Sequence, residues 1–126
     1  MLILDSGAID RLAARSRYTT KLIAGLRTAG QWPPLVLSPV LVECLRGDSG
    51  RDAPVNRLLK ACDLVERIPQ RLARRAAFLR ARARRGSAID ALVVAAAEPG
   101  GIVLTSDAGD LRALAAYADR VTVEGL

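Results

Sequence analysis

Four carboxylates stand out in a chain with no histidine. Asp5 closes the apolar run Leu2-Ile3-Leu4. Glu43 follows Leu37-Ser38-Pro39 inside a helical stretch. Asp90 stands near the start of the very apolar segment 88–98, and Asp107 follows Ile102-Val103-Leu104 closely. Asp110 lies one helical turn beyond Asp107. Four carboxylates gathered in one crevice repel one another, so they raise their own pKa values or draw in a cation. An all-oxygen ligand set suits Mg²⁺ or Mn²⁺, hard ions that keep waters and bind phosphates. Such an ion lowers the pKa of a bound water and stabilises charge on a phosphoryl group. That is a route to phosphodiester hydrolysis without imidazole. The missing histidine excludes Ser–His and Cys–His catalysis and imidazole acid–base chemistry on RNA.

Each acid also has a plainer reading. Ser87-Ala88-Ile89-Asp90 matches a capping box, and Asp110 follows Asp107 at the same spacing. Asp5 could cap the helix after it. Glu43 sits between Val42 and Cys44, where an acid is costly unless it is solvated or paired with arginine. Singly these signals are weak, and their joint placement carries the reading.

Placing them requires an alternation of strands and helices. The expected strands are Leu2–Leu4, Leu35–Leu37, 64–68, 102–104 and 121–123. The expected helices cover 9–15, 19–29, 39–46, 54–61, 69–85, 88–98 and 110–117, with Ser38 as an N-cap before Pro39. Residues 48–52 read as a polar loop. This alternation implies an α/β fold with a mainly parallel sheet between two helical layers. In such sheets ligands bind outside the carboxyl ends of the strands, which is where these acids fall. The length of 126 residues is that of one domain spanning 1–126.

Leu2-Ile3-Leu4-Asp5-Ser6, Leu37-Ser38-Pro39-Val40-Leu41-Val42-Glu43, Asp90-Ala91-Leu92-Val93-Val94-Ala95 and Leu104-Thr105-Ser106-Asp107 resemble, in this order, the four acidic motifs of PIN domains. The length is similar to that of the VapC ribonuclease toxins of bacterial toxin–antitoxin pairs. The resemblance runs from residue 2 to about 114. It implies a PIN-like three-layer sandwich and an Mg²⁺- or Mn²⁺-dependent endoribonuclease neutralised by a VapB-like antitoxin. The implied catalytic and metal-binding acids are Asp5, Glu43, Asp90 and Asp107, with Asp110 as a fifth of second rank. Ser6, Thr105 and Ser106 are the implied hydroxyl helpers. Assembly as a homodimer, or as a heterotetramer or octamer with the antitoxin, is implied too. An RNA-processing nuclease outside a toxin–antitoxin pair, and a non-catalytic PIN-like module binding RNA or protein, are the alternatives.

The net charge is +6 and the pI about 10.3. Seventeen of the nineteen basic residues are arginine, whose forks suit phosphate. Seven lie between Gln70 and Arg85, a stretch without an acid. At helical spacing Arg71, Arg74, Arg75, Arg82 and Arg85 share a face that could guide RNA toward Asp90. A solvated face is the plainer reading. Phe78 lies among them and is expected in the core, as a lone aromatic usually is, with stacking on a base as the alternative. Leu12, Leu22, Ile23 and Leu26, with Tyr18 and Trp32 at the margins, exceed what one buried face needs, and surplus apolar surface marks an interface.

Other classes fail on particular residues. A phosphoryl-accepting receiver needs a lysine after a late strand, and the only lysines are Lys21 and Lys60. An aspartyl phosphatase needs a second Asp at position 7, which is Gly7. No GxxxxGK[ST] is present. Cys44 and Cys62 have no metal-ligand spacing and read as free, buried thiols. Neither a membrane span nor a signal peptide is apparent, so a cytoplasmic protein is expected.

Overall fold

The computed structural model describes residues 1–126. Five strands form one parallel sheet: β1 (Leu2–Leu4), β2 (Leu35–Leu37), β3 (Asp63–Val65), β4 (Ile102–Thr105) and β5 (Thr122–Gly125), in the spatial order β3-β2-β1-β4-β5. Ile3 pairs with Leu35 on one side and with Val103 on the other. Every β1 residue is buried, as a central strand covered on both faces requires.

Seven helices connect the strands. They are α1 (Ser6–Ala13), α2 (Arg17–Thr28), α3 (Leu41–Cys44), α4 (Ser49–Leu59), α5 (Gln70–Ala83), α6 (Ala88–Ala97) and α7 (Gly109–Ala115). The chain steps outward from β1 through β2 to β3, then returns over the sheet to β4 and β5. Right-handed crossovers put the helices of the first leg on one face and those of the second on the other. Accordingly α1 packs with α2, α3 and α4, whereas α5, α6 and α7 pack with one another. Both α1 and α6 lie against β1 and β4. The direction of winding reverses between these two strands, and the carboxyl ends there open a crevice. The core joins Ile3, Leu4 and Val103 to Ile9 and Leu12 of α1 and to Val93 and Val94 of α6. Each fully buried side chain of this size contributes roughly 1.5–3 kcal/mol.

Several boundaries differ from the expected ones. Residues 48–52 are a helix start, not a loop. Asp48 accepts from the Gly50 and Arg51 amides, which begins α4 at Ser49. Asp52 is buried and accepts from the amides of Arg46, Gly47 and Asp48, so an acid that reads as loop is a structural clasp. Ser38 opens a single 3₁₀ turn, Ser38–Val40, rather than capping an α-helix, and α3 ends at Cys44 rather than near residue 46. β3 lies one residue earlier than expected and ends before Glu66. Leu12 is buried, and Leu22, Ile23 and Leu26 pack half-buried on the core. Their surplus is therefore mostly spent within the chain, and only Tyr18 stands well exposed. Both cysteines are free, Cys44 buried and Cys62 half-buried, and burial pushes each thiol up to about 11. No helix is long and apolar enough to cross a membrane.

Candidate active site

Asp5 is the first residue past β1, and three bonds fix it. Its amide donates to Leu104 O at 3.3 Å. Oδ1 accepts from the Ala8 amide at 2.8 Å, so Asp5 does cap α1. Oδ2 accepts from the Thr105 hydroxyl at the end of β4. That bond spans the β1–β4 crevice. Thr105 Oγ1 also accepts from the Asp107 amide at 3.0 Å, which ties the fourth acidic motif to the first. Asp5 is only 9% exposed. Burial pushes its carboxyl above the ordinary value of 3.8, the bonds from Thr105 and Ala8 pull it back, and the charges of Asp90 and Glu43 add to the rise. Three of the four expected acids therefore share one electrostatic neighbourhood, and the fourth is bonded into it through its backbone.

Asp90 occupies the first turn of α6 and does form the capping box. Its Oδ2 accepts from the Ser87 amide at 3.1 Å, and the Ser87 hydroxyl accepts from the Asp90 amide at 3.0 Å. Capping uses one carboxylate oxygen, and Asp90 Oδ1 makes no hydrogen bond within the chain. Glu43 is exposed on α3, not enclosed by apolar side chains as its flanking residues suggested. Asp107 is exposed and its carboxylate is unbonded. Asp110 does not cap α7; its Oδ1 accepts from Arg85 Nε at 3.0 Å and forms an ion pair with Arg85 Nη2 at the same distance. Of the three hydroxyls, only Thr105 bonds an acid. Ser106 Oγ stands over Gly7, where a Cβ would meet it and turn the hydroxyl aside.

The acids line the crevice without closing into a cage: no three of them stand close enough to hold one ion between them. A hard divalent cation does not require that. Mg²⁺ is commonly held by one or two carboxylates and completes its shell with waters and phosphate oxygens. A buried carboxylate with raised pKa, two like charges near it and a free oxygen on Asp90 fit such an ion in donor chemistry.

The arginines divide into two groups. Arg75 is committed to Glu98 by a two-pronged pair at 2.8 and 2.7 Å, and Glu98 also accepts from the Asp119 amide. That pair lies at the α6 end opposite Asp90. Arg85 reaches the crevice through Asp110. Arg71, Arg74 and Arg82 form no ion pair. Phe78 is not in the core: it is 48% exposed, with Arg75 and Arg82 guanidiniums 5.1 and 5.5 Å from its ring centre.

Glu98 and Asp52 escaped the sequence reading, in which Gly86 is only the end of the arginine-rich helix. Gly86 has φ +89°, and a Cβ there would come within 2.7 Å of Leu114 Cδ1 and 3.6 Å of Asp90 Cβ. A glycine between two helical patterns was the available signal for the last. No family model matches the chain, and no curated protein does.

Proposed function

We propose that this chain is a PIN-type endoribonuclease dependent on Mg²⁺ or Mn²⁺, acting as the toxin of a toxin–antitoxin pair. The observation that carries the nuclease reading is the Asp5–Thr105 bond between β1 and β4, where the winding of the chain reverses, with Asp90 and Glu43 close enough to raise the Asp5 pKa. The toxin assignment and the VapB-like partner rest on the motif resemblance alone.

Asp5 and Asp90 would hold the ion directly, with Glu43 and Asp107 reaching it through its waters and Asp110 available once Arg85 lets go. When bound, the ion supplies an activated water and neutralises charge on the scissile phosphate. Thr105 holds Asp5 in one rotamer, so its carboxylate faces the crevice without reorganising. The Ser87 cap holds Asp90 in the same way. Arg85 is placed to exchange Asp110 for a backbone phosphate, since guanidinium forks bind either anion.

The test is cleavage of cellular RNA by the purified chain in Mg²⁺ or Mn²⁺, with EDTA as control. Asp5→Asn and Asp90→Asn should each lower cleavage roughly 100-fold or more, as loss of groups around a metal does. Full activity in either variant, or undiminished cleavage in EDTA, rules out the metal site. Co-expression with the product of an adjacent upstream gene tests the toxin assignment: cleavage unaffected by it leaves a nuclease without an antitoxin.

A further inference from the structure

We propose that Phe78 and Arg82 form a subsite for an unpaired nucleotide, so that the chain engages single-stranded RNA. This deepens the proposed function and rests on it for the presence of RNA. An exposed phenylalanine on a helix forgoes the stabilisation that burial of its ring would give. Here the ring is 48% exposed, whereas on the same helix Leu79 is fully buried and Leu72 packs half-buried on the core. Two guanidiniums flank it, and they differ in freedom. Arg75 is fixed by its paired bonds to Glu98. The Arg82 side chain, one turn on, has no ion pair and no hydrogen bond within the chain. It lies over the ring at 5.5 Å, held by nothing else, so it can swing aside to a phosphate and yield the half-exposed ring to a base.

Arg71, Arg75, Phe78 and Arg82 follow one another at helical spacing of four, three and four, so they share one stripe. No acid interrupts residues 70–85. The stripe leads through Arg85 to Asp110 and the crevice. Unpaired cations and an open aromatic face are what single-stranded nucleic acid uses: phosphates pair with arginine while a base stacks on the ring. A duplex keeps its bases stacked on each other and offers none to Phe78. An acidic peptide would satisfy the arginines and leave the ring without a partner.

The experiment measures binding in EDTA, where cleavage does not interfere, by fluorescence anisotropy. The probes are a labelled oligoribonucleotide of mixed sequence, the same strand with abasic residues, the corresponding duplex, and a polyglutamate peptide. Phe78→Ala and Phe78→Leu should weaken the base-bearing strand roughly tenfold. Phe78→Trp should restore it, and the abasic strand should bind wild type and Phe78→Ala alike. Arg82→Gln should weaken both strands. Phe78→Leu keeps apolar bulk on the helix, so a loss there is not a loss of fold. The proposal is overturned if Phe78→Ala binds the base-bearing strand like wild type, if it weakens the abasic strand equally, or if polyglutamate or the duplex competes as well as the single strand. These outcomes are separate from failure of the nuclease reading, which is absence of cleavage in Mg²⁺ or Mn²⁺ with binding in EDTA unchanged.

Discussion

A single hydroxyl, Thr105 Oγ1, joins strand ends 100 residues apart in sequence. Thr105→Val would leave the buried Asp5 Oδ2 without a donor, at a cost of about 1–3 kcal/mol. Urea unfolding should show this as a lower midpoint with unchanged slope; an unchanged midpoint would mean that the hydroxyl contributes nothing. Asp5 itself should behave in the opposite sense. Its folded pKa is raised above the ordinary 3.8, chiefly by burial. The folded state therefore holds the proton more tightly than the unfolded state does. The resulting stability is fully present below the unfolded pKa and is lost as pH rises through the raised folded value. Asp5→Asn removes that loss while its amide can still accept from Ala8 and donate to Thr105. Without metal, the variant should melt higher than wild type at neutral pH, and the gap should close on acidification through that window. A lower melting temperature at neutral pH would contradict the raised pKa. The position of Asp5 was legible because an acid after a short apolar run marks a strand end. The partner of Asp110 was not, because Arg85 meets it only once the α5–α6 turn is laid over the start of α7.

At the scale of elements, β1, β2 and β4 were legible as unbroken apolar runs, since strands covered on both faces need no alternation. The start of α4 was hidden because Asp48, Ser49 and Gly50 have loop composition, and only the bonds to the Asp48 and Asp52 carboxylates reveal a cap and a clasp. Phe78 was misplaced for another reason: periodicity assigns a residue to a helix face but does not say whether anything covers that face. The α5–α6 turn is the junction on which the site depends most. Arg84 ends α5 in the left-handed region, Arg80 Nε donates to Gly86 O at 3.1 Å, and Gly86 packs against Leu114 beside Asp90. Gly86→Ala would place a Cβ against Leu114 at positive φ, so the turn must shift. We expect a loss of about 1–3 kcal/mol, with Mg²⁺-dependent cleavage falling as Asp90 moves. Unchanged stability and activity would show that the turn absorbs a methyl group without moving Asp90.

At the scale of the whole molecule, charge rather than shape decides what approaches. The net charge of +6 favours any polyanion, and under the proposed function the unpaired arginines on α5 are where RNA would settle. Single-stranded RNA releases counterions when phosphates are neutralised, and log K falls against log salt by about 0.7 per phosphate contact. Arg71 and Arg82 are free of ion pairs on the stripe that leads to the acids. If each neutralises one phosphate, the double variant Arg71→Gln/Arg82→Gln should lower the slope by about 1.4 while leaving the cleavage position unchanged. Arg75→Gln is the contrasting control. The Arg75 hydrogen bonds lower the Glu98 pKa, and Glu98 in turn accepts from the Asp119 amide. Its loss should lower the melting temperature and move the salt slope little. On this proposal the stripe holds two arginines that bind and one that braces, and the two measurements separate them. A salt slope that drops in Arg75→Gln but not in the double variant would reverse this assignment and place the RNA path at the Glu98 end of α6, away from the acids.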